Sequence, residues 1–82
     1  MEMRSTFRTD DLTLAGALLA RGHELVETDR HDARHVVFCI TPEPETQTLA
    51  DFAAARLEVN VVRYARAIRL LQDAIFGGRR NG

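Results

Sequence analysis

Three arginines recur at every third position of one predicted helix, and they are the residues of this chain best suited to binding chemistry. Arg63, Arg66 and Arg69 lie within the segment Val61–Phe76, and Arg56 precedes it. A guanidinium is a planar group of N–H donors whose geometry fits a carboxylate or a phosphate. No acidic residue lies three or four positions from Arg63 or Arg66, so neither has an ion-pair partner along the helix. The pattern predicts an anion-binding site with the candidate residues Arg56, Arg63, Tyr64, Arg66 and Arg69.

Charge is distributed unevenly along the chain. The 82 residues carry a net charge of -1 and a pI near 6.3, whereas a domain that coats nucleic acid typically has a pI above about 9. Residues 1–48 carry five arginines and nine acidic residues, and residues 49–82 carry six arginines and three acidic residues. A solvated arginine face, or pairing of the arginines with the acidic first half, is the alternative to an anion site.

The other residues that could do chemistry do not form a recognised set. His31 and His35 have a ligand-like spacing, but they span a predicted loop and strand, so their rings need not converge even with Cys39 or His23 added. Cys39 lies in the middle of an apolar strand, which favours a buried thiol over a nucleophile. No phosphate-binding glycine loop, hydrolase motif or metalloprotease motif occurs. We therefore expect no catalytic residues, no metal and no cofactor.

The elements that position the arginines form an α+β domain in the order β–α–β–β–α–α. We expect a small antiparallel sheet packed against helices, with a long C-terminal helix, in a single domain of residues 6–76 between flexible termini 1–5 and 77–82. The predicted elements are Thr6–Thr9, the helix Leu12–Ala20, the strands His23–Thr28 and Arg34–Thr41 around a loop at Asp29–Ala33, and the helices Leu49–Arg56 and Val61–Phe76.

Helix boundaries are indicated by capping residues. Gly22 follows the last apolar residue of the first helix by two positions, where a glycine in the left-handed conformation commonly ends a helix. The predicted N-caps are Thr9 or Asp10 for the first helix, Thr46 or Thr48 for the second, and Asn60 for the third.

Apolar residues exceed what one small core can bury, which predicts a homo-oligomer. The first helix is apolar nearly all round, and the strand Arg34–Thr41 has Val37 and Cys39 on the face opposite Phe38. On the last helix, the widest apolar arc predicts a core face of Val61, Tyr64, Ala65, Ile68, Leu71, Ile75 and Phe76. The predicted interface comprises Ala67, Leu70 and Ala74 from the opposite side of that helix, with Leu14 and Leu18.

Small size and cysteine usage support the same expectation. A core in 82 residues gives only about 3–5 kcal/mol of net stability, and the single cysteine excludes an intrachain disulfide.

No signal peptide and no apolar run of about 18 residues occurs, so we expect a cytoplasmic protein without a membrane segment.

The segments Leu49–Arg56 and Val61–Phe76 could imitate a helix-turn-helix unit. The intervening turn lacks glycine, and Arg69 lies late in the second helix, whereas residues that read bases lie near its N-terminus. Nucleic-acid binding is therefore a lesser alternative.

The segment Phe7–His23 resembles the opening of a family of small uncharacterised proteins of phages and mobile elements. The shared pattern is roughly F-x-T-x-D-L-x-L-A-x-x-L-L-x-x-G, and a helix start similar to Val59–Tyr64 follows later. The likeness extends over most of residues 6–76. Gly16 departs from it, because a bulky residue is more usual there, and it leaves space on that helix face. The resemblance implies a small, cytoplasmic, phage-borne protein and carries no catalytic residue.

These observations favour a non-enzymatic, homo-oligomeric binding protein with an arginine-lined anion site. For a phage protein, the ligand would be a phosphate-bearing nucleotide signal of host defence. The alternatives are an inhibitor or accessory factor that binds a host protein, and a nucleic-acid binder.

Overall fold

The chain is an α+β fold of three strands and three helices, in a computed structural model that describes residues 5–30 and 35–77. This architecture confirms the predicted fold class. The elements are β1 (Phe7–Thr9), α1 (Leu12–Ala20), β2 (Glu24–Arg30), β3 (Val36–Thr41), α2 (Thr46–Ala53) and α3 (Val61–Gly77). None of the helices in these residues combines the length and the hydropathy needed to cross a bilayer.

The sheet is antiparallel in the order β1-β3-β2. β2 begins and ends later than predicted, because its pairing with β3 continues to Asp29 opposite Val37 and Arg30 opposite Val36. A bulge between Leu25 and Glu27 shifts the register within β2. Of the predicted loop at 29–33, residues 31–33 lie outside the described residues, as do both predicted flexible ends except Ser5 and Gly77.

α1 forms where local signals predict it. The predicted caps Thr9 and Asp10 are wrong, because the N-cap is the next residue, Asp11, whose carboxylate accepts a hydrogen bond from the backbone N–H of Leu14 at 3.1 Å. Gly22 has a φ of +107°. The N–H groups of Gly22 and His23 donate to the carbonyls of Leu19 and Leu18, which is the hydrogen-bond pattern of a Schellman end.

α2 begins three residues earlier than predicted. The N–H groups of Thr48 and Leu49 donate to the carbonyl of Glu45, so the first turn closes on Glu45 without a side-chain cap. The predicted caps Thr46 and Thr48 are therefore wrong, since both lie inside the helix. α2 is followed by a second Schellman end, in which the N–H groups of Ala55 and Arg56 donate to the carbonyls of Phe52 and Asp51 and Ala55 has a φ of 61°.

α3 begins at its predicted cap but is turned about its axis relative to the predicted core face. Asn60 Oδ1 accepts hydrogen bonds from the N–H groups of Val62 and Arg63 at 2.9 and 3.0 Å. Leu71 and Ala67 are the buried residues of the helix, while Val61 and Phe76 are exposed by 75% and 65%. The predicted core positions Val61, Ala65 and Phe76 are therefore wrong, and the core side is formed by Tyr64, Ala67, Ile68, Leu71, Ala74 and Ile75.

The core lies between α1, α3 and one face of the sheet. Its buried side chains are Leu14, Ala15, Leu18, Phe38, Ile40 and Leu71. Arg30 donates a hydrogen bond to the carbonyl of Ile75, which fastens the end of α3 to β2 and places a cation at a helix C-terminus.

The opposite face of the sheet, called here the open face, does not need a partner subunit to cover its cysteine. Arg8 and Glu27 flank Cys39 on the neighbouring strands, and the Cys39 side chain is 2% exposed. Arg8 covers it by donating to Cys39 Sγ at 3.3 Å. At Cys39 the cover expected from a second subunit is therefore provided by a polar side chain of the same chain, and association of the chain with itself stays a prediction.

Candidate functional site

A groove of about 630 Å³ lies where the end of α1 and the start of β2 meet α3. Its residues combine an apolar surface with two guanidinium groups and the carboxylate of Glu24, and its volume is in the range of small-molecule pockets. The lining consists of Leu19, Ala20, Gly22, His23, Glu24, Leu25, Arg63, Arg66, Ala67 and Leu70.

One wall of the groove is built by the sharp turn that ends α1. The left-handed Gly22 lets the chain leave the helix and enter β2 within three residues. His23 then donates from Nδ1 to the carbonyl of Pro42 at 2.7 Å, because a carbonyl can only accept. Arg21 donates to the carbonyl of Glu58 at 3.1 Å. These two bonds tie the wall to the segments on either side of α2.

The other wall carries the arginines predicted from the sequence. Arg63 and Arg66 are both exposed at the groove. Neither side chain donates a hydrogen bond or forms an ion pair within the part of the chain that the structure describes. Arg63 lies in the first turn of α3, which contains no acidic residue. Two unpaired cations therefore face a cavity near the positive end of a helix dipole.

The floor of the groove is apolar. Leu19 and Leu25 are half-buried, Ala67 is buried, and Leu70 is 50% exposed at the edge of α3. A flat apolar group could be covered here while a negative group attached to it meets the guanidiniums. The arrangement can bind and orient a ligand, and it contains no paired acid and base.

The five predicted ligand-binding residues do not come together. Arg63 and Arg66 share the groove. Arg69 lies on the side of α3 that carries Val61, Val62 and Ala65, called here the outer side, and it does not line the groove. Arg56 is exposed in the linker between α2 and α3 and does not line the groove either. Tyr64 faces α1, where its ring lies beside Gly16. Of the five residues predicted to bind an anion, the structure therefore brings only Arg63 and Arg66 together in the groove.

The predicted oligomer interface needs correction. Leu14, Leu18 and Ala67 are 8%, 0% and 7% exposed, and they pack inside the chain's own core. Ala74 is half-buried on the same side of α3. Leu70 is the exception, since it is exposed and lines the groove. Ala67 is thus a buried residue beside the end of α1 and not part of an exposed stripe.

Sequence reasoning missed the α1–β2 side of the groove. His23, Leu19 and Leu25 gave no signal of their own, since each has an ordinary place in a predicted element. The closing glycine at position 22 was a usable sign, because a Schellman end fixes the direction in which the following residues leave the helix. The nearness of this turn to Arg63 follows only from the tertiary packing.

A second polar cluster covers Cys39 on the open face. Arg8 bonds Asp29 at 2.8 Å, and Cys39 Sγ lies 4.0 Å from Glu27 Oε2. The hydrogen bond to Asp29, followed by the nearby Cys39, raises the pKa of the Arg8 guanidinium, which remains charged in all ordinary conditions. The thiol is buried and is contacted by the Arg8 guanidinium, so the cluster covers this part of the open face.

The histidines do not assemble a metal site in the described residues. His35 Nε2 lies 3.1 Å from Asp10 Oδ2 at the exposed end of β3. His31 lies outside the described residues, and no three potential metal ligands cluster among the others.

Comparison with known proteins identifies the family. No curated protein and no solved structure matches the chain significantly. A family model described as a domain of unknown function matches residues 4–77, which is nearly the whole chain. The chain therefore belongs to the DUF5659 family.

Proposed function

We propose that this chain is a non-enzymatic binding protein that holds a phosphate-bearing small molecule, of the nucleotide class, in the groove between α1 and α3. The observation that carries the proposal is that Arg63 and Arg66, both without a partner in the described part of the chain, line one groove that has an apolar floor.

Electrostatics supports an anionic ligand. Like charges three positions apart on a helix destabilise it by a few tenths of a kcal/mol, and Arg63 also opposes the helix dipole. A phosphate between the two guanidiniums reverses both effects, because it accepts charge-assisted hydrogen bonds and carries negative charge.

The floor supports a ligand with a flat apolar part. Leu25 of β2 and Leu70 of α3 both belong to the apolar floor of the groove, so a planar ring bound against them would be covered by apolar side chains. Inorganic phosphate offers no such ring, whereas a nucleotide has both a ring and a phosphate. For a chain encoded by a phage, a nucleotide signal of host defence is the special case of this proposal.

Calorimetric titration of a panel tests the proposal. The panel contains purine and pyrimidine nucleoside monophosphates, cyclic nucleotides, the corresponding nucleosides and inorganic phosphate. Arg63→Gln and Arg66→Gln should each weaken nucleotide binding about tenfold or more, whereas Arg56→Gln, a matched change outside the groove, should leave the Kd within about twofold. Absence of binding by every nucleotide at millimolar concentration would overturn the proposal.

The helix-turn-helix alternative receives no support from the packing of α2. Seven residues separate α2 from α3, and the two helices hardly touch. A helix-turn-helix unit instead has a turn of three or four residues and a recognition helix braced by the first helix.

A further inference from the structure

The outer side of α3 exposes an apolar knob and an apolar depression on the same face. The knob is Phe76, whose side chain is 65% exposed. The depression has a volume of about 360 Å³ and is lined by Val61, Val62, Ala65, Arg66 and Arg69. Ala65 has the smallest side chain of these five residues, so a larger side chain at its position would fill part of the depression.

The spacing of the two features is that of a self-complementary surface. Phe76 follows Ala65 by eleven positions, which is three turns plus about 20°, or about 16 Å along the helix. If two copies of α3 pack antiparallel about a two-fold axis, each Phe76 comes level with Ala65 of the other copy. Each Phe76 then enters the depression of the other copy, so the two copies make the same contact, as an isologous interface requires.

The charges beside these residues are complementary in the same arrangement. Asp73 precedes Phe76 by one turn, and Arg69 follows Ala65 by one turn. The antiparallel register that pairs Phe76 with Ala65 also brings Asp73 beside Arg69 of the second copy. Among residues 5–30 and 35–77 these two side chains have no ion pair, not even with each other within the helix.

We propose that the outer side of α3 is an interface for a second copy of this chain, with Phe76 inserted beside the partner's Ala65 and two Arg69–Asp73 ion pairs between the copies. α3 has 17 residues, about 25 Å, so a single helix pair covers an area at the low end of specific interfaces. The dimer is therefore weak and forms with rising protein concentration.

This interface is independent of the ligand groove. Arg63 and Leu70 lie more than 100° around the helix from the line joining Ala65 and Phe76, on the side that faces the groove. Only Arg66 borders both features.

Sedimentation equilibrium over a range of protein concentrations measures the association. The chain should show a reversible monomer–dimer equilibrium, and Phe76→Asp should weaken it about tenfold or more. Val26→Asp is the matched control, because Val26 is a 56% exposed apolar residue on the bulge of β2 that does not line the depression, and its change should leave the equilibrium unaltered. A chain that stays monomeric at millimolar concentration, or a Phe76→Asp variant that dimerises normally, would overturn the proposal.

A mixing experiment separates pairing between copies from pairing within one helix. Arg69→Asp and Asp73→Arg each place like charges across the interface, so each variant alone should dimerise more weakly than the original chain. An equimolar mixture should form heterodimers, because both of its cross pairs then join opposite charges. A mixture as monomeric as its components would contradict this arrangement, and circular dichroism verifies that both variants keep their helical content.

Discussion

Ile68 of α3 occupies the space in which a side chain at position 16 of α1 would begin. A Cβ atom placed on Gly16 would lie 2.6 Å from Cδ1 of Ile68, and 3.1 Å from a ring carbon of Tyr64. The absent side chain thus allows close approach of the two helices rather than leaving the free space expected from the sequence. This contact helps fix which side of α3 faces the core, and so which side carries the groove.

Gly16→Ala should destabilise the chain by about 1 kcal/mol. Overpacking against Ile68 costs about 1–3 kcal/mol, and the better helix propensity of alanine offsets up to about 1 kcal/mol. Ile68→Val removes the obstructing Cδ1 atom and should itself cost about 0.5–1.5 kcal/mol. Urea denaturation should show that the double variant loses less stability than the two single changes added together. Strict additivity would mean that the two residues do not compete for this space.

The two Schellman ends should respond oppositely to exchange of glycine and alanine. Gly22 ends α1 with a φ of +107°, and Ala55 ends α2 with a φ of 61°. Gly22→Ala should cost about 1–2 kcal/mol, since alanine is strained in this region. Ala55→Gly should stabilise by about 0.5–1 kcal/mol, because relief of strain exceeds the added chain entropy. Thermal denaturation of both variants provides the measurement, and shifts of the same sign would contradict it.

Removing the Arg8 side chain should expose the Cys39 thiol. The guanidinium donates to Cys39 Sγ at 3.3 Å and forms part of its cover on the open face. Arg8→Ala should therefore raise the rate of labelling by Ellman's reagent about tenfold or more under native conditions. Arg56→Ala, a matched loss of an exposed arginine far from the sheet, should label as slowly as the original chain. Equal rates in all three proteins would show that other atoms protect the sulfur.

Loss of the Asn60 cap should loosen the turn that carries Arg63. Asn60→Ala removes two hydrogen bonds to backbone N–H groups and should destabilise the chain by about 1 kcal/mol. Asn60→Asp keeps the acceptor and places a negative charge at the helix N-terminus, so its Tm should stay near that of the original chain. Thermal denaturation at moderate salt checks both, and an unchanged Tm for Asn60→Ala would show that the cap contributes nothing.

Local signals made the element order predictable, whereas the orientation of α3 was not. α1 matched its predicted bounds because apolar residues, a cap and a closing glycine all act within one segment. On α3, the apolar periodicity predicts Val61 and Phe76 in the core, because this pattern reports which residues are apolar and not how much space the neighbouring elements leave. Ala67 is buried instead, and the close approach of α3 to α1 depends on Gly16, which periodicity does not identify.

The candidate site was predictable only in the part that local sequence signals indicate. Arg63 and Arg66 stood out because their lack of acidic neighbours is visible in the sequence. His23 and Leu25 were missed, since their contribution depends on the distance between two elements that are far apart along the chain. The cover of Cys39 by Arg8 was missed too, because cross-strand neighbours follow from a register that periodicity does not determine.

The side-chain Nε–Hε resonances of the arginines test the central claim most directly. In a titration of isotope-labelled protein with a nucleoside monophosphate, the signals of Arg63 and Arg66 should shift together with the backbone amides of Leu25 and Ala67. The signals of Arg56 and Arg69 should remain unchanged, because neither residue lines the groove. Saturable shifts at Arg63 and Arg66 are the result predicted for a nucleotide-binding groove. Shifts confined to other arginines, or no shifts at millimolar nucleotide, would contradict it.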